Sequence, residues 1–270
     1  MGRRVASGRS VDAADAQVLA MLEAVERYSQ QYSNSRPDQL IPFLTVNGAD
    51  DPVAQDKITL GAPTTNGQVT SAGTAAGRSL PDAAGRAVLE ALEHHYLARL
   101  SGPNGLALSS HDEEATLSDC KRWLEGQMRH LSCYLHTGAD HVFALCECRD
   151  ADGGRPTRGS AAAHDPATAL LSAAQEAIAH WRNMVALEHN AVPRDQFSGA
   201  ELDALLTYRG TVPLHPPTAT PTVRGTVLAD SPATPDRLAD TLAQLSGLRV
   251  RLVDLTVPEI GIPVVRVALG

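Results

Sequence analysis

Three stretches of the chain repeat one short pattern: AMLEAVERYS at 20–29, AVLEALEHHY at 87–96 and AAQEAIAHWR at 173–182. Aligned on their Glu-Ala pairs, they put Glu23, Glu90 and Glu176 in equivalent places. The first two add Glu26 and Glu93 three residues later, where the third has Ala179. On a helix, residues i and i+3 share a face, so each E-x-x-E presents two carboxylates together. An isolated pair of this kind is ordinarily a solvated face. Here the neighbours are apolar (Leu22, Ala24 and Val25, then Leu89, Ala91 and Leu92), which predicts helices buried on most sides. A buried carboxylate needs a partner, and several gathered together need cations. Hard oxygen ligands favour Mg2+, and Mg2+ favours bound phosphates. The residues alone therefore point to a Mg2+–nucleotide or Mg2+–phosphate site. No G-x-x-x-x-G-K-[ST], no G-x-G-x-x-G after a strand and no G-x-S-x-G occurs. A nucleotide would be held without the common glycine-rich loops.

The first repeat falls in a helix expected over 13–30, capped by Asp12 or Asp15. The second falls in a helix over 80–100, with Pro81 in its first turn, behind a Thr/Ser/Gly/Ala-rich run at 64–77. The third lies in a helix over 166–187. Further helices are expected over 113–129 and over 235–245, the latter ending before Gly247. Strands are expected at 40–46, in HLSCYLHTG (130–138), in HVFALCECR (141–149), and over 248–256 and 262–269. Leu131, Cys133 and Leu135 share one strand face, and 141–149 reads as covered on both sides over part of its length. The stretch 151–160 reads as a Gly/Arg loop and 212–225 as a Pro-rich one. The fold class is α/β (α+β mixed), a single domain with the repeated helices packed on β-sheet.

Composition excludes several classes. The chain has 270 residues and a net charge of −8, which argues against nucleic acid as a partner. Lys57 and Lys121 are its only lysines, so a lysine-based phosphate site has almost no candidates. No apolar run approaches the roughly 20 residues that span a bilayer, so no membrane is expected. The start, MGRRVASG, lacks an apolar region behind its arginines. Four cysteines are no disulfide framework, and the expectation is a soluble cytoplasmic protein with reduced thiols. Cys133, His136, Cys146 and Cys148 have a loose zinc-site look, but the strand alternation reads the cysteines as small buried hydrophobes. His94 and His95 read as structural or solvent-facing, the other reading being an acid–base role beside phosphate. Trp123 and Trp181 read as core or interface aromatics.

Four segments, in order, resemble the motifs of the YcaO family: GRSVDAADAQVLAMLEAVERYS (8–29), TSAGTAAGRSLPDAAGRAVLEALEHHY (70–96), GSAAAHDPATALLSAAQEAIAHWR (159–182) and LVDLTVPEIGIPVVRVALG (252–270). Together they cover essentially the whole chain. The resemblance implies an ATP- and Mg2+-binding fold that activates a peptide backbone amide by phosphorylating its oxygen. A neighbouring Cys, Ser or Thr, an external sulfide or an amine then attacks, giving azolines, thioamides or amidines in ribosomally made peptides. Carried over by motif, Glu23, Glu26, Glu90, Glu93 and Glu176 would hold Mg2+ and polyphosphate, and Arg27 would steady phosphate or pair with a glutamate. Asp82 keeps an acidic position of the cofactor-binding set, and Arg78 stands where the family has Asn and could supply a lost cation. The implied partners are a ribosomal precursor peptide, a partner protein supplying leader recognition, and a second copy of the chain as a homodimer. The chain departs from the motifs at Leu19, Ala72, His94 and Ala179, and its motifs reach almost to both ends. The expectation is a compact domain over 1–270 without the usual N-terminal extension and C-terminal tail. The alternative is a catalytically degenerate scaffold or peptide-binding subunit.

Overall fold

In the computed structural model the described residues are 8, 12–30, 43–44, 58, 71–100, 106–111, 115–189, 199–210, 219–220 and 232–270. They fall into two compact units, Met1–His95 with Asp230–Gly270, and Tyr96–Ala229. Most of the strand expected at 40–46 and of the loop at 212–225 lies outside the described residues.

In the first unit a four-stranded antiparallel sheet has the order β1–β8–β9–β2, with β1 at Phe43–Leu44, β2 at Thr74–Ala76, β8 at Val250–Asp254 and β9 at Val264–Leu269. The apolar side chains Val253, Leu255 and Val264 bury against Ile58 and Ala76. Helix α1 (Ala13–Ser29) lays Leu22 and Val25 on that cluster. Asp12 caps it, Oδ1 accepting the N–H groups of Ala14 and Asp15 at 2.8 and 3.0 Å. The expectation of burial on most sides is corrected for α1. None of its residues is fully buried, and Val18, Met21 and Tyr28 are exposed. Its apolar residues form one narrow contact stripe, which the sequence run of Leu, Ala and Val overstates. Helix α2 (Leu80–Leu100) matches the expectation better, with Ala83, Ala84, Ala87, Val88 and Leu92 buried. In the connection from β8 to β9, Asp254 accepts the Thr256 N–H and Thr256 Oγ1 accepts the Val264 N–H, so the D-L-T tripeptide is a turn device. Helix α6 (Pro235–Ser246) ends on Gly247 at φ 69°, as its position predicts.

The second unit is built on a five-stranded sheet of order β6–β5–β4–β3–β7: β3 Leu108–Ser110, β4 Arg129–Thr137, β5 Val142–Asp150, β6 Thr157–Ala163, β7 Ala219–Thr220. Leu131, Cys133 and Leu135 share a face, and β5 is buried on both sides from Val142 to Cys148. Helix α4 (Pro166–His189) packs Ala169, Leu170, Ala173, Ala174 and Ala177 on one face of this sheet. Helix α5 (Gly199–Tyr208) was not foreseen.

Three expectations are corrected here. The helix over 113–129 is a 3-10 turn at Ala115–Leu117 followed by α3 at Ser118–Glu125. Gly126 caps it, Met128 turns the chain at φ 55°, and Arg129 begins β4. The buried Arg129 guanidinium donates to the Cys148 and Arg155 carbonyls at 3.1 and 2.6 Å, pairs with Asp150 and lies 4.8 Å over the Trp181 ring. Those partners lie far along the chain, so nothing local announced that the helix stops before Arg129. The loop over 151–160 ends early, because β6 starts at Thr157. Its Thr-Arg-Gly-Ser-Ala-Ala-Ala run has little strand propensity of its own, and α4 holds it in place. The four reduced thiols are corrected too. Cys133 and Cys146 stand opposite each other in the β4–β5 register, Cα atoms 4.3 Å apart, and form a disulfide, while Cys120 and Cys148 are free.

Candidate functional site

The first unit brings Glu23, Glu26, Glu90 and Glu93 into one electrostatic group. Helix α1 contributes the first pair and α2 the second, with the short strand β2 and its approach running beside both. Glu26 Oε1 accepts the Ala76 N–H of edge strand β2 at 2.7 Å. Burial nevertheless raises Glu26 above the ordinary carboxylate range, and Glu23 adds to the rise. Glu90 is pushed up to about 8 by burial first, then by the charges of Glu26 and Glu93. The Gly73 N–H bonded to its carboxyl and the charge of Arg266 act against that shift. Gly73 can turn this N–H inward because its φ is +74°, and a Cβ there would press Ala91 and Val267 at 3.3 Å. Arg27 does pair with Glu23, one of the two roles expected for it.

Two expected site residues have local work. Asp82 Oδ2 accepts the Arg78 N–H at 2.8 Å, and Ser79 Oγ accepts the Asp82 N–H at 3.3 Å, a cap at the start of α2. The Arg78 side chain itself is exposed. Glu176, on α4 in the second unit, accepts the Ser160 N–H of edge strand β6 at 2.9 Å, with His180 Nε2 3.8 Å from its other oxygen.

Arg266 was missed. It is buried in β9 and donates to Gln30 Oε1 at 3.3 Å and Thr74 Oγ1 at 2.9 Å. Burial lowers its pKa, and the charge of Glu90 opposes this. The signal was present: an Arg inside the apolar run Val264-Val265-Arg266-Val267 needs a partner anion.

The carboxylates are a good chemical match for a hard cation. Burial first, and then the charges of Glu26 and Glu93, push the Glu90 carboxyl up to about 8, and a divalent ion is the natural neutraliser. Among the described residues no group of three or more His, Cys, Asp or Glu side chains is placed to hold a metal ion.

A family model described as YcaO cyclodehydratase, ATP- and Mg2+-binding, matches residues 58–269. The chain belongs to the YcaO family. No curated protein matches this YcaO sequence. Its fold is similar to that of solved structures at low identity. A heterocyclase in complex with substrate and cofactor is 17% identical with a TM-score of 0.69, over 97% of this chain and 44% of that one. YcaO from Methanopyrus kandleri bound with AMPPCP and Mg2+ is 16% identical, TM-score 0.69, over 98% of this chain and 77% of that one. The E. coli microcin synthetase McbBCD complex is 12% identical, TM-score 0.64, over 100% and 74%. This YcaO chain thus spans less than half the length of the heterocyclase. The shared fold is mixed helix and antiparallel sheet. Among the described residues, no helix is long and apolar enough to cross a membrane.

Proposed function

We propose that this YcaO chain binds ATP with Mg2+ and uses it to activate a backbone amide of a ribosomally made precursor peptide. The observation that carries the reading is the buried Glu90 carboxyl, pushed up to about 8 by burial first and then by the charges of Glu26 and Glu93, which a cation would relieve. Family membership and the Mg2+–nucleotide analogue named for the M. kandleri structure support it. ATP supplies a phosphoryl group for the amide oxygen, turning that oxygen into a leaving group. Glu23, Glu26, Glu90 and Glu93 would hold the cations that offset phosphate charge, and Glu176 on α4 is proposed as a cation ligand too. Arg27 and Arg78 would face phosphate, and Arg266 gives Glu90 a buried counter-charge. The chain would work in the cytoplasm, as a homodimer or beside a partner protein that binds the leader; that the E. coli microcin synthetase is a McbBCD complex, also solved with pro-MccB17 bound, supports a partner and a precursor peptide.

A second reading is a scaffold or peptide-binding subunit that no longer turns over ATP. The capping role of Asp82 and the exposure of Arg78 favour it. The two readings part in one assay. Purified chain, ATP, Mg2+ and candidate precursor peptides with their partner proteins are incubated, and peptide mass is followed. Loss of one water, or gain of sulfur for oxygen, with ADP formed in step supports the enzyme. ADP-free, unmodified peptide across the partner-completed set sinks it.

A further inference from the structure

A cation sits in the middle of the acidic stripe of α2. Asp82, Arg86, Glu90 and Glu93 follow one another at i, i+4, i+8 and i+11 on that helix. At 3.6 residues per turn these four positions fall within about 80° of one another around the axis, a single narrow face. The stripe belongs to the first unit, where α1 adds Glu26 to it. The charge of Glu26 bears on Glu90, and the charge of Arg86 bears on Glu26, favouring its ionised form. Ala83, Ala87 and Val88 bury the other side of the helix, while the Arg86 side chain is exposed.

Arg86 stands one helical turn from Asp82 and from Glu90, yet among the described residues its guanidinium enters no hydrogen bond or ion pair. The Asp82 carboxylate takes the Arg78 N–H instead, and the Glu90 carboxyl takes that of Gly73. The neighbouring arginines are engaged elsewhere: Arg27 pairs with Glu23, and the buried Arg266 donates to Gln30 and Thr74. The fold itself does not call for a cation at this place. The passage from β2 into α2 recurs from β6 into α4 at a constant offset of 86 positions, with Gly73 matching Gly159 and Glu90 matching Glu176. Arg86 then matches Ser172, so the same packing of strand and helix is built without an arginine.

A guanidinium is a planar fork of donors that meets two phosphate oxygens at once and stays charged at any working pH. The magnesium–nucleotide complex is an anion and the bare ion a cation, so one guanidinium attracts the first and repels the second. We propose that Arg86 is a phosphate-binding residue of this site, and that its charge makes the carboxylates take the magnesium–nucleotide complex in preference to the bare ion. The inference rests on the reading that Glu26 and Glu90 hold cations.

Two calorimetric titrations of the purified full chain test it, ATP at saturating Mg2+ and Mg2+ without nucleotide, on wild type, Arg86→Gln and Arg86→Lys. In Arg86→Gln the ATP affinity is expected to fall about tenfold or more, as a charged hydrogen bond to phosphate is lost. Its affinity for Mg2+ alone holds or rises, and Arg86→Lys, which keeps the charge, recovers part of the loss. Thermal melting checks that both variants fold; an exposed side chain without bonds leaves the melting temperature unchanged. Equal ATP affinity in wild type and Arg86→Gln overturns the proposal and leaves the carboxylate reading intact. So does a parallel fall in the affinities for ATP and for Mg2+ alone, which makes Arg86 a support of the carboxylates rather than a ligand of phosphate. Wild type that binds no ATP overturns the proposal together with the reading on which it rests.

Discussion

Acidification should weaken the second unit through one imidazole. His141 is fully buried, with Nε2 2.9 Å from Tyr96 Oη and its ring so close to Gly138 that a Cβ there would sit 2.6 Å from Cε1. Its pKa falls from 6.5 to about 4, by burial first, then by His136 and His164, with Asp140 opposing. The unfolded ring takes its proton near 6.5 and the folded ring only near 4. Between those values the unfolded state holds more protons, so stability falls as pH falls. The contribution is complete above about 6.5 and is lost progressively toward about 4. At about 1.36 kcal/mol per pH unit, the gap is worth at most about 3.4 kcal/mol, a large share of the 5–15 kcal/mol or so that holds a domain. Urea unfolding at steps from pH 7.5 down, on wild type and His141→Phe, reads it. The variant starts lower by about 1 kcal/mol, having lost the Tyr96 hydrogen bond, but its curve should be flatter between pH 6.5 and 4. His136, also lowered by burial, is present in both proteins. Parallel curves would refute the argument.

Gly159→Ala should cost about 1–3 kcal/mol or more, because its Cβ would lie 2.2 Å from the Ala173 carbonyl and 2.3 Å from the Ala177 nitrogen; an unchanged melting temperature contradicts this packing. Gly73→Ala should cost about 1–2 kcal/mol through its φ of +74°, and should weaken Mg2+ binding with it. Under denaturing, non-reducing conditions two thiols should react, Cys120 and Cys148, and four after reduction. Arg266→Gln should destabilise by about 2–3 kcal/mol, as buried charged hydrogen bonds are lost; a neutral effect in calorimetry would contradict the role given to Arg266.

Much of this was legible. Pro81, the Asp12 cap and Gly247 mark their helix ends by chemistry that acts within a few residues. The period-two runs at 131–135 and 142–148 fix two strands and their buried faces. The paired glutamates were legible because their spacing is helical. What escaped depends on pairing across the chain. β6, Thr-Arg-Gly-Ser-Ala-Ala-Ala, carries little strand signal, and its pairing with β5 under α4 makes it a strand. The Cys133–Cys146 disulfide needs the β4–β5 register, and the burial of Arg266 needs Gln30 and Thr74. The hydrogen bonds from Ala76 to Glu26 and from Ser160 to Glu176 likewise join residues that no local pattern connects.

The central claim is that the glutamates of the first unit are a working Mg2+–nucleotide site. Calorimetry of ATP binding to the purified chain, with and without Mg2+, tests it most directly. The account predicts binding that needs Mg2+ and is lost in Glu90→Gln, a variant that keeps the shape of the side chain but cannot ionise to meet the cation. Binding that ignores Mg2+, or that survives Glu90→Gln unchanged, would contradict it.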